Sequence, residues 1–185
     1  DSLKREVFKE MTGVDVLDRV LAGIAAAKNA GLDPIKINAV IVRGHNEDEV
    51  VDFAAFAREH DVKMRFIEFM PLDSSRAWDR TQVVSADEIL ATIRARHQLV
   101  AVEEDDPSST SMNFTFADAR RPRIAMRGRQ TDDAQSRARI GIIAPVSRPF
   151  CGACSRLRIT ADGKIRPCLF SLSEWDIRPL LRDGK

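Results

Sequence analysis

Cys151, Cys154 and Cys168 are the only cysteines of the chain, and they fall in a C-x2-C-x13-C string, RPFCGACSRLRITADGKIRPC over residues 148–168. Two thiolates at C-x2-C spacing, with Gly152 in the gap, can be aimed by one tight turn at a single ion. Between Cys154 and Cys168 a strand-like run, the turn Ala161–Asp162–Gly163 and a returning run read as a hairpin, which brings its two ends together. Three sulfur donors can then meet at one point. Three is one more than a disulfide needs and one fewer than a closed zinc site takes. On spacing alone three chemistries stay open: zinc with a fourth ligand from elsewhere, a redox thiol pair, and an iron–sulfur cluster held by three cysteines. The last leaves one iron free to bind a substrate atom. His45, His60 and His97 are distant in sequence and none has zinc-ligand spacing to a cysteine, so each reads as a solvated or helix-end residue. The βαβ context of a thioredoxin-like CxxC is missing.

Arg156 and Arg158 alternate with Leu157 on the run that starts beside Cys154. Two guanidiniums on one face, next to an open metal position, form a clamp for phosphate or carboxylate, with Arg148 and Arg166 as further contributors. The plain alternative is a pair of exposed strand arginines. The net charge of +1 hides an asymmetry: from Arg120 to Arg166 there are twelve Lys or Arg against three acids, Asp132, Asp133 and Asp162. A local excess of that kind attracts an anion of several charges, a nucleoside triphosphate or nucleic acid, unless it is simply a solvated basic face. Aromatic residues are not interleaved with these arginines and the chain has no tyrosine. That argues against a single-stranded nucleic-acid surface.

The elements that must position these groups follow from periodicity. Val14, Leu17, Val20, Leu21, Ile24 and Ala27 keep helical spacing and predict a helix over residues 14–30, with Thr12 and Asp15 as a capping box and Gly31 at the C-terminal cap. IKINAVIV (35–42) predicts a buried strand, residues 46–60 a helix with acids in its first turn, and VKMRFIEFM (62–70) a second strand ended by Pro71. Strand, helix, strand at this spacing means a crossover in a parallel sheet, with an earlier strand expected before Asp1. After Pro71 a loop leads to a helix over 85–97, opened by a Ser85–Glu88 capping box, then a strand at QLVAVEE, a loop at DDPSSTS, and short strands at 139–146, 156–160 and 164–170. The change of pattern divides the chain into residues 1–72, α/β and parallel, and residues 73–185, smaller, mixed and mostly antiparallel. Lys36 and Asn38 share one face of the first strand, and Arg65 and Glu68 interrupt the second. A charge in a buried strand is costly without a partner. Either a buried cation–Glu pair serves structure alone, or inward-pointing side chains reach a ligand inside a barrel.

Apolar residues make up 44% of 185 and charged residues 31%, a composition that supports a core and excludes disorder. No stretch is long enough to cross a bilayer, and no leader precedes Asp1. The odd cysteine count with a CxxC pair points to reduced, metal-binding thiolates and a cytoplasmic location.

The strings RFIEFMPL, GIIAPVSRPFCGACSRLRITADGKIRPCLF and IKINAVIVRGHNEDEV closely resemble the GTP 3′,8-cyclases of molybdenum cofactor biosynthesis, in the radical S-adenosylmethionine superfamily. The likeness runs the whole chain and is least distinct over 100–138. It implies the C-terminal part of an incomplete (βα)6 TIM-type barrel followed by a small α+β iron–sulfur domain, truncated at its C-terminus. It implies a lyase that uses a 5′-deoxyadenosyl radical from S-adenosylmethionine to convert GTP to 3′,8-cyclo-7,8-dihydro-GTP. Cys151, Cys154 and Cys168 match the ligands of a C-terminal 4Fe–4S cluster. Arg156, Leu157 and Arg158 match a GTP-binding tripeptide, Lys36 and Arg65 match GTP contacts from barrel strands, and Met70 matches an S-adenosylmethionine contact. Ser155 stands where many relatives carry Asn or Thr.

The resemblance further implies a homodimer, no nucleic-acid partner, and a product passed to the cyclic pyranopterin monophosphate synthase. Two features of the family are missing. No cysteines remain for the C-x3-C-x2-C motif of the first 4Fe–4S cluster, and the glycine-rich C-terminal tail is not present. The expectation is a fragment of about the C-terminal half, with no catalytic residue of its own and no activity in isolation. The rivals are another radical enzyme with a similar auxiliary-cluster domain, and a zinc-holding nucleic-acid-binding module.

Overall fold

The computed structural model describes residues 1–72, 78–102, 109–117 and 138–182. The expected loops at 73–77 and 105–108, and the basic stretch 120–137, lie outside the described residues. Contacts divide the chain into two compact units, Asp1–Phe150 and Cys151–Lys185.

In the first unit α1 (Arg5–Thr12) and α2 (Leu17–Asn29) precede β1 (Lys36–Ile41). The Thr12–Asp15 capping box does not form. Thr12 is the last residue of α1 and its hydroxyl donates back to the Phe8 carbonyl at 2.7 Å, while Asp15 accepts from Arg5 Nε at 2.8 Å. Periodicity does not predict α1, which Gly13 caps at a φ of +76°, and α2 starts at Leu17 rather than at Val14. Gly31, at φ +74°, follows the end of α2 as expected. Then come α3 (Val50–His60), entered through a short 3-10 turn at Glu47–Glu49, β2 (Lys63–Glu68), α4 (Ala86–Arg94), β3 (Leu99–Val102), β4 (Met112–Phe116) and β5 (Arg139–Ile143). The Ser85–Glu88 capping box of α4 is present with both of its hydrogen bonds.

Among the described residues five strands form one sheet in the order β1-β2-β5-β4-β3. The pairs β1–β2 and β2–β5 are parallel, and β5–β4 and β4–β3 antiparallel. The change of sequence pattern at Pro71 does not interrupt the sheet, because β5 returns to pair with β2. One sheet face carries the core. Ala39, Ile41, Met64, Phe66, Ile140 and Ile142 are fully buried, in one cluster with Phe53 and Ala57 of α3 and Ile89 and Ile93 of α4. Each large side chain buried this way contributes about 1.5–3 kcal/mol. The opposite face is polar over its first two rows and apolar in the third, at Val40, Ile67 and Ile143, and at Val100 and Val102 of β3.

In the second unit β6 (Arg158–Ile159), β7 (Lys164–Arg166) and β8 (Trp175–Asp176) form an antiparallel sheet, followed by α5 (Arg178–Arg182). The β6–β7 turn is the expected one at 161–163. Gly163 sits at φ +77° and its N–H donates to the Thr160 carbonyl at 3.0 Å, a backbone geometry that favours glycine.

Candidate functional site

Register assigns side chains to the polar face of the five-stranded sheet, since directly paired residues share a face. One row across the strands reads Lys36, Lys63, Arg139, Thr115; the next reads Asn38, Arg65, Gly141, Asn113. Lys36 and Arg65, expected to meet a ligand from barrel strands, therefore do share a face, with Arg65 one row further along. Glu68 does not join them. Its side chain leaves by the opposite face and is fully buried. There it accepts from the amides of Ala86 at 2.9 Å and of Val146 and Ser147 at 2.8 Å each, and from the Ser147 hydroxyl. The buried carboxylate is satisfied by backbone donors rather than by a lysine or arginine, as neither sequence alternative anticipated.

Arg65 is held from one side. Its Nε donates to Asn38 Oδ1 at 2.7 Å, which orients the guanidinium by its stem-side nitrogen. Under the stem lies Gly141, where a Cβ would stand 2.6 Å from Ser111 Oγ, 3.1 Å from Arg65 Cγ and 3.3 Å from Asn113 Oδ1. Ser111 is in turn fixed by Asn113, which accepts from its hydroxyl at 3.1 Å and donates to its carbonyl at 2.8 Å. The backbone at Gly141 thus makes room for the arginine. Lys63 and Arg139, which the sequence reading left out, lie on the same face as Lys36; period-two spacing from Arg65 was the signal for Lys63.

Met70 lies two residues past the end of β2, half-buried, and its carbonyl accepts from Leu72 N–H at 2.8 Å. Nearby, Trp78 Nε1 donates to the Phe69 carbonyl at 2.9 Å.

In the second unit Cys151 and Cys154 lie on one turn, closed by Cys154 N–H donating to the Cys151 carbonyl at 3.3 Å. Cys168 follows β7, and its Sγ accepts from Phe170 N–H at 3.4 Å. All three are free thiols, two exposed and Cys154 half-buried. Among the described residues no three His, Cys, Asp or Glu side chains converge to metal-ligand distance. The turn and hairpin are as expected, but the structure does not draw the three sulfurs together. The donor chemistry nonetheless fits a soft metal group. Hydrogen bonding from the Arg156 backbone and then from its guanidinium, whose Nε reaches Cys154 Sγ at 3.4 Å, lowers the Cys154 thiol and favours the thiolate that ligates iron or zinc.

Arg156 precedes β6 rather than lying on it, so the expected alternation of Arg156 and Arg158 along one strand holds only from Arg158 onward. Leu157 is exposed between them. Arg158 Nη1 is buried and has no hydrogen-bond partner among the described residues. An unmatched buried N–H of this kind costs about 1–3 kcal/mol unless a ligand meets it. Arg166, which faces Arg158 across the β6–β7 pair, is occupied by Glu174, which it contacts through Nε at 2.9 Å and Nη2 at 2.5 Å. Arg148 pairs with Asp87 at 2.6 Å. Neither of these two arginines is held in reserve for an anion clamp.

Comparison with known proteins places these observations. A family model described as Molybdenum Cofactor Synthesis C matches residues 62–185. A protein named GTP 3′,8-cyclase from Streptomyces coelicolor is 42% identical over 98% of this chain, which covers 49% of that protein. One named GTP 3′,8-cyclase 2 from Mycobacterium tuberculosis is 43% identical over 100% of this chain and 48% of its own length. Another from Rhodopirellula baltica is 41% identical over 100% of this chain and 47% of its own length. The chain spans about half the length of the curated relatives it matches.

Proposed function

The chain belongs to the Molybdenum Cofactor Synthesis C family, and we propose that it forms the substrate-holding half of a GTP 3′,8-cyclase, a radical S-adenosylmethionine lyase. The observation that carries this reading is the polar sheet face. Its described strands bring Lys36, Lys63, Arg65 and Arg139 together without one acid, the electrostatic complement of a nucleoside triphosphate with its about four negative charges. On this reading the sheet is the C-terminal part of an incomplete (βα)6 barrel, and the polar face is its lumen.

Lys36 offers a point charge and Arg65 a fork to the phosphates. Arg156, Leu157 and Arg158 contact the nucleotide, and a GTP oxygen supplies the partner that buried Arg158 Nη1 lacks among the described residues. Cys151, Cys154 and Cys168 hold a 4Fe–4S cluster, with Arg156 keeping Cys154 toward the thiolate. Met70 contacts S-adenosylmethionine. A second 4Fe–4S cluster belongs to the part of the relatives that this chain does not span. When bound, the clusters and S-adenosylmethionine supply the radical chemistry. The residues of this chain orient GTP, and orientation of that kind lowers a barrier by about 7–11 kcal/mol. The product, 3′,8-cyclo-7,8-dihydro-GTP, passes to the cyclic pyranopterin monophosphate synthase, and the working form is a cytoplasmic homodimer. Among the described residues no helix is long and apolar enough to cross a membrane.

Anaerobic reconstitution with iron and sulfide, followed by GTP, S-adenosylmethionine and a reductant, tests the reading. The full-length protein forms the cyclised nucleotide and the isolated 185-residue chain does not. A colourless protein that retains zinc and gives no product would refute it, and so would product from the isolated chain.

A further inference from the structure

The second row of the sheet reads Asn38, Arg65, Gly141 and Asn113 across β1, β2, β5 and β4. Among these four only Arg65 is charged, and both of its flanks are specified. On the β1 side Asn38 Oδ1 accepts from Arg65 Nε at 2.7 Å. On the β5 side a Cβ at position 141 would stand 3.1 Å from Arg65 Cγ, so glycine leaves the stem its place. A guanidinium carries donors only, so the Asn38 amide must present its oxygen and turn its NH2 away.

The bond takes Nε and leaves the outer edge of the fork. No described residue accepts from Arg65 Nη1 or Nη2. An arginine has many rotamers to lose when a ligand freezes its fork. Asn38 holds the stem-side nitrogen before any ligand arrives, so part of that loss falls on folding rather than on binding. The brace is also neutral. A carboxylate at the same place would accept the same hydrogen bond but would offset the guanidinium charge. An uncharged acceptor fixes direction and leaves the positive charge for an anion.

We propose that Asn38 is a positioning residue for Arg65: it fixes the guanidinium in its phosphate-binding direction without neutralising it, and it acts on the nucleotide only through Arg65. The proposal rests on the reading of this face as a GTP site. It assigns Asn38 no contact with the nucleotide.

The test is a double-mutant cycle on the full-length, cluster-loaded protein. GTP affinity is measured at fixed ionic strength for wild type, Asn38→Ala, Arg65→Met and the double variant. Asn38→Ala weakens GTP by about fivefold, the share expected for freezing one long side chain at binding. Arg65→Met weakens it more. The double variant binds GTP within about twofold of Arg65→Met, because no guanidinium remains to be braced. Asn38→Leu, close in shape and without an acceptor, repeats the loss seen with alanine. Asn38→Asp keeps the hydrogen bond and melts no lower than wild type, yet weakens GTP by at least about fivefold because its charge offsets that of Arg65. In steady-state turnover Asn38→Ala raises the KM for GTP about fivefold and leaves kcat within about twofold, as a uniform loss of binding does. A folding defect would instead lower kcat through the fraction of active enzyme and leave KM alone.

Unchanged GTP affinity in both Asn38→Ala and Asn38→Leu overturns the proposal. So does a double variant whose loss is the product of the two single losses, since Asn38 would then act independently of Arg65. An Asn38→Asp protein that binds GTP as wild type does overturns it as well. Failure of the broader reading looks different: Arg65→Met alone would bind GTP as wild type does, and the proposal would fall with it.

Discussion

Arg65 and Glu68 stand three residues apart on β2, and their side chains leave the strand on opposite faces. One is kept available by a neutral brace, Asn38, which occupies a single guanidinium nitrogen. The other is consumed by structure. Glu68 gathers the first amide of α4 and the amides of Val146 and Ser147, so one carboxylate ties β2 to two segments that follow it far along the chain. Burying a carboxylate is costly, and donors to both oxygens offset that cost. In Glu68→Gln the amide keeps the shape, but its NH2 faces N–H donors and the charge is lost. The variant is expected to lose about 3 kcal/mol of stability, read from the urea midpoint at neutral pH. A loss under about 1 kcal/mol would mean that the carboxylate does not secure this junction.

At the scale of elements, α4 is held at its start by a cap that titrates. Glu88 accepts from the Ser85 hydroxyl at 2.7 Å, the Ser85 amide at 2.9 Å and Arg43 Nη2 at 2.6 Å, and the Ser85 hydrogen bonds, then Arg43, lower its carboxyl to about 2. A carboxyl depressed in the folded state stabilises fully above its unfolded value, near 4.5, and that contribution fades as the pH falls toward 2. Arg43 and Glu88 are nearly half exposed, at 44% and 49%, so solvent screening keeps the effect well below the full linkage value. Glu88→Gln retains a side chain able to close a capping box but removes the titration. The stability gap between wild type and this variant is therefore expected at pH 6 and to shrink between about pH 4.5 and 2, followed by urea unfolding at several pH values. A gap that stays constant through that window would show that charge is not what the cap uses.

At the scale of the molecule, the two units differ in how they are stabilised. The first has a continuous apolar cluster. In the second no described side chain is buried, and Leu172, Trp175, Leu180 and Leu181 are exposed. A unit that small builds too little core and is commonly stapled by a metal. Hydrogen exchange on the reconstituted protein, before and after iron is chelated, is expected to show protection falling over residues 158–176 while β1, β2 and β5 keep theirs. Equal protection in both states would remove the cluster from the stability of this unit.

Composition and local pattern were enough to place β1, α3 and β2, the Ser85–Glu88 cap, the hairpin at Gly163 and the spacing of the three cysteines. Each depends on neighbours a few residues apart, where periodicity and backbone preference act. The same local rules missed α1 and its cap at Gly13, and they put Glu68 in question without finding its partners. Those partners lie 18, 78 and 79 residues away. The pairing of β5 with β2, the alignment of Lys36, Lys63 and Arg139 in one row, and the clearance at Gly141 for Arg65 were likewise decided only by tertiary structure. Strand register is a contest between distant segments for the same edge, and only the packed sheet resolves it.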